Sequence, residues 1–285
     1  MIRLIFAPVV FATTAAMHNH APSVGRISAS IAGVTFLLVI VSACEGANPV
    51  AVVGEAARVA GLVEPEPVTF ELLYDPTASD LSTLEAQLGA LADSALERPG
   101  SVIAVRALGD HSAGLAILGR FDVPKPPVGR EARTAARQRF RTRVVDETLD
   151  AARSTCPPDS VHHSLLLQAL TTSQQEGAAT KRIVVVLTDG KQHEGGRGLS
   201  WECKVPSDLA GVDHLLKGRG LLQNLAGTTV VFAEWRLHSS GAKCDFDIAD
   251  QARLEALWRH IVLRACGEAV FTPGIATSRL LNVGN

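Results

Sequence analysis

The sequence has few aromatic residues and no excess of positive charge. Aromatic residues make up 5% of the chain, and the formal net charge is -2. Because nucleic-acid-binding domains usually carry a basic surplus, nucleic acid is excluded as an expected partner. The chain also lacks the Gly-x-Ser-x-Gly, P-loop and Gly-x-Gly-x-x-Gly patterns of common hydrolases and nucleotide-binding enzymes. We therefore expect a binding protein rather than an enzyme, with no catalytic residues.

Acidic residues are absent from positions 1–43. Arg26 precedes an apolar run over residues 27–41, and small residues follow the run. A basic start, a short apolar stretch and small residues before a cleavage point form an export signal. The alternative is an uncleaved signal anchor, although the run is marginal in length for a bilayer span. Residues 1–16 add an apolar stretch that an export signal does not need, so we expect translation to start later.

The sequence Val41-Ser42-Ala43-Cys44 resembles the lipobox of bacterial lipoproteins. This resemblance implies that Cys44 carries a lipid such as palmitate and becomes the N-terminus of the mature protein. It places the protein at the bacterial cell envelope, and Glu45 favours the outer membrane, facing the periplasm. The domains predicted on this basis are a signal peptide (1–43), a proline-containing tether (44–67) and one folded domain (68–285).

Strand-like and helix-like patterns alternate from residue 68 onward. The run Ile183-Val184-Val185-Val186 is typical of a central parallel strand. Strands over 101–108 and 114–123 are too close together for a crossover helix, so they are expected to pair antiparallel at an edge. The predicted strands are 68–74, 101–108, 114–123, 181–187, 228–235 and 268–273, and the predicted helices are 81–97, 130–153, 161–175, 213–225 and 249–265. This order predicts a three-layer, Rossmann-like α/β fold, with a mostly parallel central sheet, one antiparallel edge strand and helices on both faces.

Two segments outside the predicted strands are polar. Residues 191–212 are polar and rich in glycine, which favours a surface loop. The helix predicted over 130–153 contains many arginines, including Arg133, Arg137, Arg141 and Arg143. A solvated helix face is the simpler interpretation of these arginines, and a partner-binding surface is the alternative.

Four cysteines follow Cys44, and none belongs to a Cys-x-x-Cys pair. This spacing disfavours zinc ribbons and thioredoxin-type sites, whereas an even number in an exported domain favours disulfide bonds. Cys203 and Cys244 follow strands that end at the same predicted edge, which favours a bond between them. Cys156 and Cys266 form the remaining pair. Because Cys266 ends a helix that should finish at the opposite edge, these two are alternatively unpaired or linked elsewhere.

Hydroxyl and carboxylate side chains follow the ends of two predicted parallel strands. Asp75, Thr77 and Ser79 come after the first strand, and Leu187-Thr188-Asp189-Gly190 ends the central strand. Ser164 stands at the head of a predicted helix between them. Since ligands of open α/β sheets bind beyond the carboxyl ends of the strands, we expect these side chains to meet at one edge.

This set resembles the metal-ion-dependent adhesion site of von Willebrand factor A domains. Asp75-x-Thr77-x-Ser79 is similar to the family's Asp-x-Ser-x-Ser motif, residues 187–190 to its strand-end motif, and Ser164 to its threonine. The resemblance implies Mg²⁺ or a similar divalent cation, with one coordination position open for a partner's carboxylate. Its implied ligands are Asp75, Thr77, Ser79, Ser164 and Asp189. The alternative is structural: Asp75 and Ser79 cap the first helix, and Asp189 forms a turn with Gly190.

The sequence therefore predicts a binding module that is anchored to the envelope by lipid and recognises another envelope protein, with the metal ion as a bridge. One alternative is an accessory subunit of an envelope or secretion assembly that uses the same fold without metal. An envelope hydrolase is a less favoured alternative, because no acid, base and nucleophile set is visible.

Overall fold

The computed structural model describes residues 65–76, 78–108, 115–155, 166–172, 181–192, 200–201, 203–221, 224–233, 235 and 246–272. The chain divides into two compact units, Met1–Glu64 and Pro65–Asn285, and every described residue belongs to the second. The predicted signal peptide and Cys44 therefore lie outside the described residues. Within the described ranges, no helix combines the length and the apolar character needed to cross a membrane.

A mixed sheet forms the centre of the described part. Its strands are β1 (Thr69–Tyr74), β2 (Val102–Ala107), β3 (Ala116–Asp122), β4 (Arg182–Leu187), β5 (Thr228–Ala233) and β6 (Glu268–Phe271). The strands lie in the order β3-β2-β1-β4-β5-β6. Neighbouring strands are parallel except for β2 and β3, which pair antiparallel at one edge. The prediction of a mostly parallel sheet with one antiparallel edge strand is confirmed.

Helices cover both faces of this sheet. They are α1 (Leu81–Leu96), α2 (Arg130–Thr155), α3 (Leu166–Thr172), α4 (Leu209–Gly218) and α5 (Ile248–Arg264). Phe70 and Leu72 of β1 pack with apolar residues of α1 and α2. Leu73, whose side chain alternates to the other face, packs with residues of α3, α4 and α5. The predicted three layers are therefore present, and burial on both faces explains why β4 is almost wholly apolar.

Three aspartates fix where α1, α4 and α5 begin. Asp80, Asp208 and Asp247 each accept a hydrogen bond from the backbone N–H three residues further on, at 2.7, 3.0 and 2.7 Å. The backbone N–H of Thr83 is the main reason why the pKa of Asp80 lies below its usual value. Asp80 therefore caps α1, and the expectation that Asp75 and Ser79 would do so is wrong. Because Asp208 is a cap, the helix predicted over 213–225 instead spans Leu209–Gly218.

Some described residues that follow β4 are buried, which differs from the prediction of a surface loop over 191–212. Residues 193–199 and 202 lie outside the described residues, and α4 begins at Leu209. Lys191, Gln192, Trp201 and Val205 are all buried. The side-chain amide of Gln192 accepts a hydrogen bond from the backbone N–H of Leu167 at 3.2 Å and donates to the Gln168 side chain at 3.1 Å. A polar residue can be buried when its hydrogen bonds are made in this way.

The pairing of β2 with β3 is interrupted once. Val105 lies opposite Gly119 and Arg106 lies opposite Ile117, so Leu118 is an extra residue on β3. This arrangement is a β-bulge, which bends the strand and increases its local twist.

Candidate functional site

The carboxyl ends of β1 and β4 lie side by side. Tyr74 is paired with Leu187 in parallel register, and the backbone N–H of Asp75 donates to the Leu187 carbonyl at 2.9 Å. Asp75 and Asp189 therefore lie at the same edge of the sheet, where an open α/β sheet is expected to bind ligands. Among the other predicted ligands, Ser79 lies on the same loop as Asp75, whereas Thr77 and Ser164 lie outside the described residues.

Asp75 is held by a threonine that the sequence interpretation left out of the site. Its side chain is 1% exposed, and the Thr188 hydroxyl donates to Asp75 Oδ2 at 2.9 Å. The same hydroxyl accepts from the backbone N–H of Gly190 at 3.1 Å. The Ser79 N–H donates to the Asp75 carbonyl at 3.0 Å, so the loop after β1 turns tightly at the strand end.

Asp189 is paired with a lysine. Its Oδ1 accepts from the backbone N–H of Lys191 at 2.9 Å, and its Oδ2 lies 3.8 Å from Lys191 Nζ. The Lys191 side chain is 9% exposed, and its ammonium lies 4.9 Å from the ring centroid of Phe246. A positive charge therefore already stands beside Asp189, and it opposes the approach of a second cation.

Gly190 is fixed between Asp189 and Lys191 by tryptophan side chains. Trp201 and Trp258 both donate their indole N–H to the Gly190 carbonyl, at 3.2 and 2.8 Å. The φ angle of Gly190 is +76°, and a Cβ at this position would lie 2.4 Å from Cη2 of Trp235. Glycine is required here by backbone conformation and by packing, a reason that the sequence motif alone does not reveal.

The described residues fit a divalent cation only in part. Asp75 offers the carboxylate oxygens that hard cations prefer, and the Thr188 hydroxyl lies next to them. However, Asp75 is buried and Asp189 is paired with Lys191. Within the described ranges, no group of three or more His, Cys, Asp or Glu side chains is arranged to hold a metal ion. Coordination by Asp75, Thr77, Ser79, Ser164 and Asp189 stays a prediction.

The cysteines with described positions are in different states. Cys203 is disulfide-bonded, whereas Cys266 is a free, exposed thiol. The predicted bond between Cys156 and Cys266 is therefore wrong. Cys266 lies between α5 and β6, two residues before β6 begins at the amino edge of the sheet. Cys156 and Cys244 lie outside the described residues, so the pairing of Cys203 with Cys244 stays a prediction.

The first part of α2 has no core beneath it. Residues 130–139 are exposed except for the half-buried Ala136, and Phe140 is the first buried residue of the helix. At a rise of 1.5 Å per residue, this exposed part is about 15 Å long. Its charged residues are Arg130, Arg133, Arg137, Arg139 and a single acid, Glu131.

Some arginines of α2 attach the helix to α1. Arg137 forms an ion pair with Glu97, and Arg141 Nε lies 3.8 Å from Asp93 Oδ2. These exposed pairs contribute little to stability, because solvent screens them. The packing of α2 against α1 therefore depends mainly on the apolar residues further along α2.

Other arginines of α2 remain available to a partner. The guanidinium groups of Arg130 and Arg139 have no hydrogen bond or ion pair with any residue in the described ranges. The guanidinium group of Arg133 donates to the Pro127 carbonyl at 3.1 Å, and that oxygen is uncharged. The exposed part of α2 therefore presents a surplus of positive charge to solvent.

Comparisons with known proteins give similarities in fold at low identity. No protein-family model matches the chain, and no curated protein sequence matches it significantly. Among solved structures, a von Willebrand factor type A protein from Catenulispora acidiphila shares 11% identity at a TM-score of 0.36, over 76% of this chain and 41% of that chain. A protein of the family that the motifs resemble is thus among the structural neighbours.

Two further solved structures are similar to a comparable degree. The PilB minor pilin from Streptococcus sanguinis shares 11% identity at a TM-score of 0.39, over 78% of this chain and 60% of that chain. Proximal thread matrix protein 1 from the mussel byssus shares 12% identity at 0.35, over 83% and 51%. This chain spans about half the length of the structures it matches. With scores and identities this low, the similarities say nothing about what this chain binds.

Proposed function

We propose that this protein is a binding module that docks onto an acidic surface of another protein through the exposed part of α2. The observation that carries the proposal is a helical segment outside the core with four arginines and one acid. Most helices in proteins are stabilised by packing of an apolar face, which residues 130–139 lack. A partner that covers this segment would supply the missing contacts.

The chemistry of arginine favours an acidic partner. A guanidinium group can donate two parallel hydrogen bonds to one carboxylate, which gives both strength and orientation. Arg130 and Arg139 are best placed for such bonds, because neither is engaged within the described residues. Opposite charges on the partner would also accelerate association, and added salt would weaken it.

Binding of a fluorescent polyglutamate peptide, followed by anisotropy, tests this surface. Replacing both Arg130 and Arg139 with Gln is expected to weaken binding about tenfold, since each exposed pair contributes up to about 1 kcal/mol. Arg153→Gln is the control, because Arg153 lies at the other end of α2 and pairs with Asp150 at 2.8 Å. Equal affinity of the double variant and the wild type would contradict the proposal. Binding to anionic vesicles in place of the peptide would show a membrane surface as the target.

We further propose that the module is attached to the envelope by lipid on Cys44. The lipobox-like residues 41–44 and the preceding apolar run support this proposal. A Cys44→Ser variant produced in a bacterium should move from the membrane fraction to the soluble fraction, and its N-terminal peptide should lack the mass of the lipid. Density-gradient separation of the membranes tests the outer-membrane location. An unchanged distribution of the variant would exclude the anchor.

A second candidate function is cation-dependent binding at the carboxyl edge. The contact between Asp75 and Thr188 favours it, because two oxygen-bearing side chains meet at adjacent strand ends. Mg²⁺ would be held chiefly by Asp75, and it would offer an open position to a carboxylate of the partner.

Thermal unfolding in EDTA, Mg²⁺, Mn²⁺ or Ca²⁺ tests this second candidate. A cation at one hundred times its dissociation constant stabilises the folded state by about 2.7 kcal/mol, so the midpoint should rise by several degrees. An Asp75→Asn variant should lose this rise, whereas the exposed Asp93→Asn variant should keep it. Identical midpoints of the wild type in EDTA and in each cation would remove this candidate. Docking through α2 should survive chelation.

A further inference from the structure

A cavity of about 330 Å³ opens at the amino edge of the sheet. Its lining comes from the beginnings of four strands: Val68, Lys181, Arg182, Ile183, Gly227, Thr228, Thr229, Cys266, Gly267 and Glu268. Val68 and Asp75 lie at opposite ends of β1, about 20 Å apart, so this cavity is separate from the carboxyl edge. Its volume falls within the range of roughly 300–1,000 Å³ that is usual for small-molecule sites.

The described residues that line the cavity include two cations, Lys181 and Arg182, and one carboxylate, Glu268. Arg182 pairs with the buried carboxylate of Glu71, and the second oxygen of Glu71 lies 3.1 Å from Arg106 Nε. One carboxylate therefore serves two guanidinium groups, and Lys181 adds a third cation. Glu268 is the only acid among the described residues that line the cavity.

Arg182 is poorly solvated where it lines the cavity. Its side chain is 13% exposed, and burial lowers its pKa to about 10, so it is still charged at neutral pH. Its Nε is buried without a hydrogen-bond acceptor in the part of the chain that the structure describes. A buried donor without an acceptor destabilises the protein, and a negative charge bound in the cavity would stabilise the charged guanidinium group.

The remaining walls are apolar or carry hydroxyl groups. Val68 and Ile183 are apolar, while Thr229 donates its hydroxyl to Glu268 at 3.2 Å. Gly267 allows close packing of one wall, because a Cβ there would lie 2.9 Å from Leu225 Cβ. An apolar wall next to a cationic one suits a ligand with a charged head and a short hydrocarbon chain.

We propose that this cavity binds a small organic carboxylate, with its head beside Lys181 and Arg182 and its short apolar chain against Val68 and Ile183. The site shares no residue with the exposed part of α2 or with the carboxyl edge. If the cavity binds no carboxylate, the proposed function is unaffected. If the proposed function is wrong, the proposal for the cavity is likewise unaffected.

Cys266 supplies a direct readout, because it lines the cavity and is a free, exposed thiol. Its alkylation by neutral iodoacetamide is followed by peptide mass spectrometry on the oxidised, folded protein, in which Cys203 remains in its disulfide. The additions are hexanoate, hexanol and inorganic phosphate at equal concentration and ionic strength. Hexanoate should slow the alkylation of Cys266 at least about fivefold, and the effect should saturate with concentration. Its carboxylate would bind beside Lys181 and Arg182, and its chain would cover the thiol.

Each other outcome of the alkylation experiment overturns the proposal. Equal protection by hexanol would show a purely apolar cavity, and equal protection by phosphate would show that the apolar wall is not used. No protection by hexanoate would show that carboxylates do not bind. The three probes thus distinguish the contribution of the charged head to binding from that of the hydrocarbon chain.

Variants of the cationic wall provide an independent test. Lys181→Gln removes one charge at the cavity and should weaken the protection by hexanoate about tenfold. Lys217→Gln on the exposed side of α4 is the matched control and should leave the protection unchanged. Arg182→Gln is a weaker test, because it also deprives Glu71 of a partner and lowers stability. Wild-type protection in the Lys181→Gln variant would overturn the proposal.

Discussion

The two edges of the sheet differ in how their polar groups are satisfied. At the carboxyl edge, Asp75 accepts from Thr188 and Asp189 is paired with Lys191. The Gly190 carbonyl in the same segment accepts from two indole groups. The main effect of these contacts is to fix the loops that leave β1 and β4.

The amino edge is richer in cationic side chains. Glu71 serves both Arg106 and Arg182, and Lys181 stands beside the same cavity. The comparison teaches that burial of polar residues does not by itself mark a binding site. A site is better indicated where cationic side chains gather beside a cavity, as Lys181 and Arg182 do at the amino edge.

Glu71→Gln should give the largest effect, because it removes the negative charge that Glu71 provides to two buried guanidinium groups. Removal of one partner from a buried ion pair costs about 3–5 kcal/mol of unfolding free energy. Urea unfolding measures this loss, and the exposed Glu85→Gln on α1 is the control with a change near zero. A loss similar to that of the control would show that the amino edge is as well balanced as the carboxyl edge.

Gly190→Ala should be next in size. The new Cβ would lie 2.4 Å from Cη2 of Trp235, and the φ of +76° disfavours any side chain. We expect a loss of about 2–4 kcal/mol and a change in near-ultraviolet circular dichroism from the tryptophans. Gly218→Ala is the matched control, since a Cβ there meets nothing within 4 Å. Equal stability of the two variants would contradict the close packing around Gly190 at the carboxyl edge.

Thr188→Val should have a smaller effect. It removes the donor to Asp75 and the acceptor for the Gly190 N–H while keeping the shape of the side chain. The expected loss of unfolding free energy is about 1–2 kcal/mol, and Thr188→Ser should recover most of it. If valine is tolerated without loss, the Thr188 contact does not stabilise this edge.

Cys266→Gly should give the smallest effect, with the opposite sign. Cys266 has a φ of 64°, and the N–H groups of Cys266 and Gly267 donate to the carbonyls of Leu263 and Val262, both at 2.9 Å. These bonds form a Schellman motif, in which glycine is favoured at the position of Cys266. Glycine should raise the melting temperature by an amount equivalent to about 1 kcal/mol, whereas Cys266→Ala should not.

The order of the elements could be predicted because it depends on local patterns. The β-branched run in β4 required burial on both faces, and the short connection between β2 and β3 allowed only an antiparallel pair. The position of Asp75 beside the end of β4 followed from strand polarity. These inferences need no knowledge of which side chains meet across the fold.

The chemistry of both edges depended on contacts between distant segments. Lys191 belongs to a polar stretch that is typical of loops, and its burial beside Asp189 is a tertiary effect. Thr188 was overlooked although it stands inside the strand-end motif. Glu71 and Arg106 did leave a signal, since each is a charged residue inside an otherwise apolar strand. Such residues are rarely buried unless they are paired, so they identify an internal ion pair.

The bulge at Leu118 affects how copies of the protein behave when crowded. An open sheet can recruit a strand from a neighbouring copy along its outer strands, and such growth leads to aggregates. On one side, the irregular β3 does not offer a continuous row of backbone groups for this purpose. On the other side, β6 has only four residues. Both outer strands are therefore poor templates for pairing between copies. At high concentration the protein should resist the formation of fibrils.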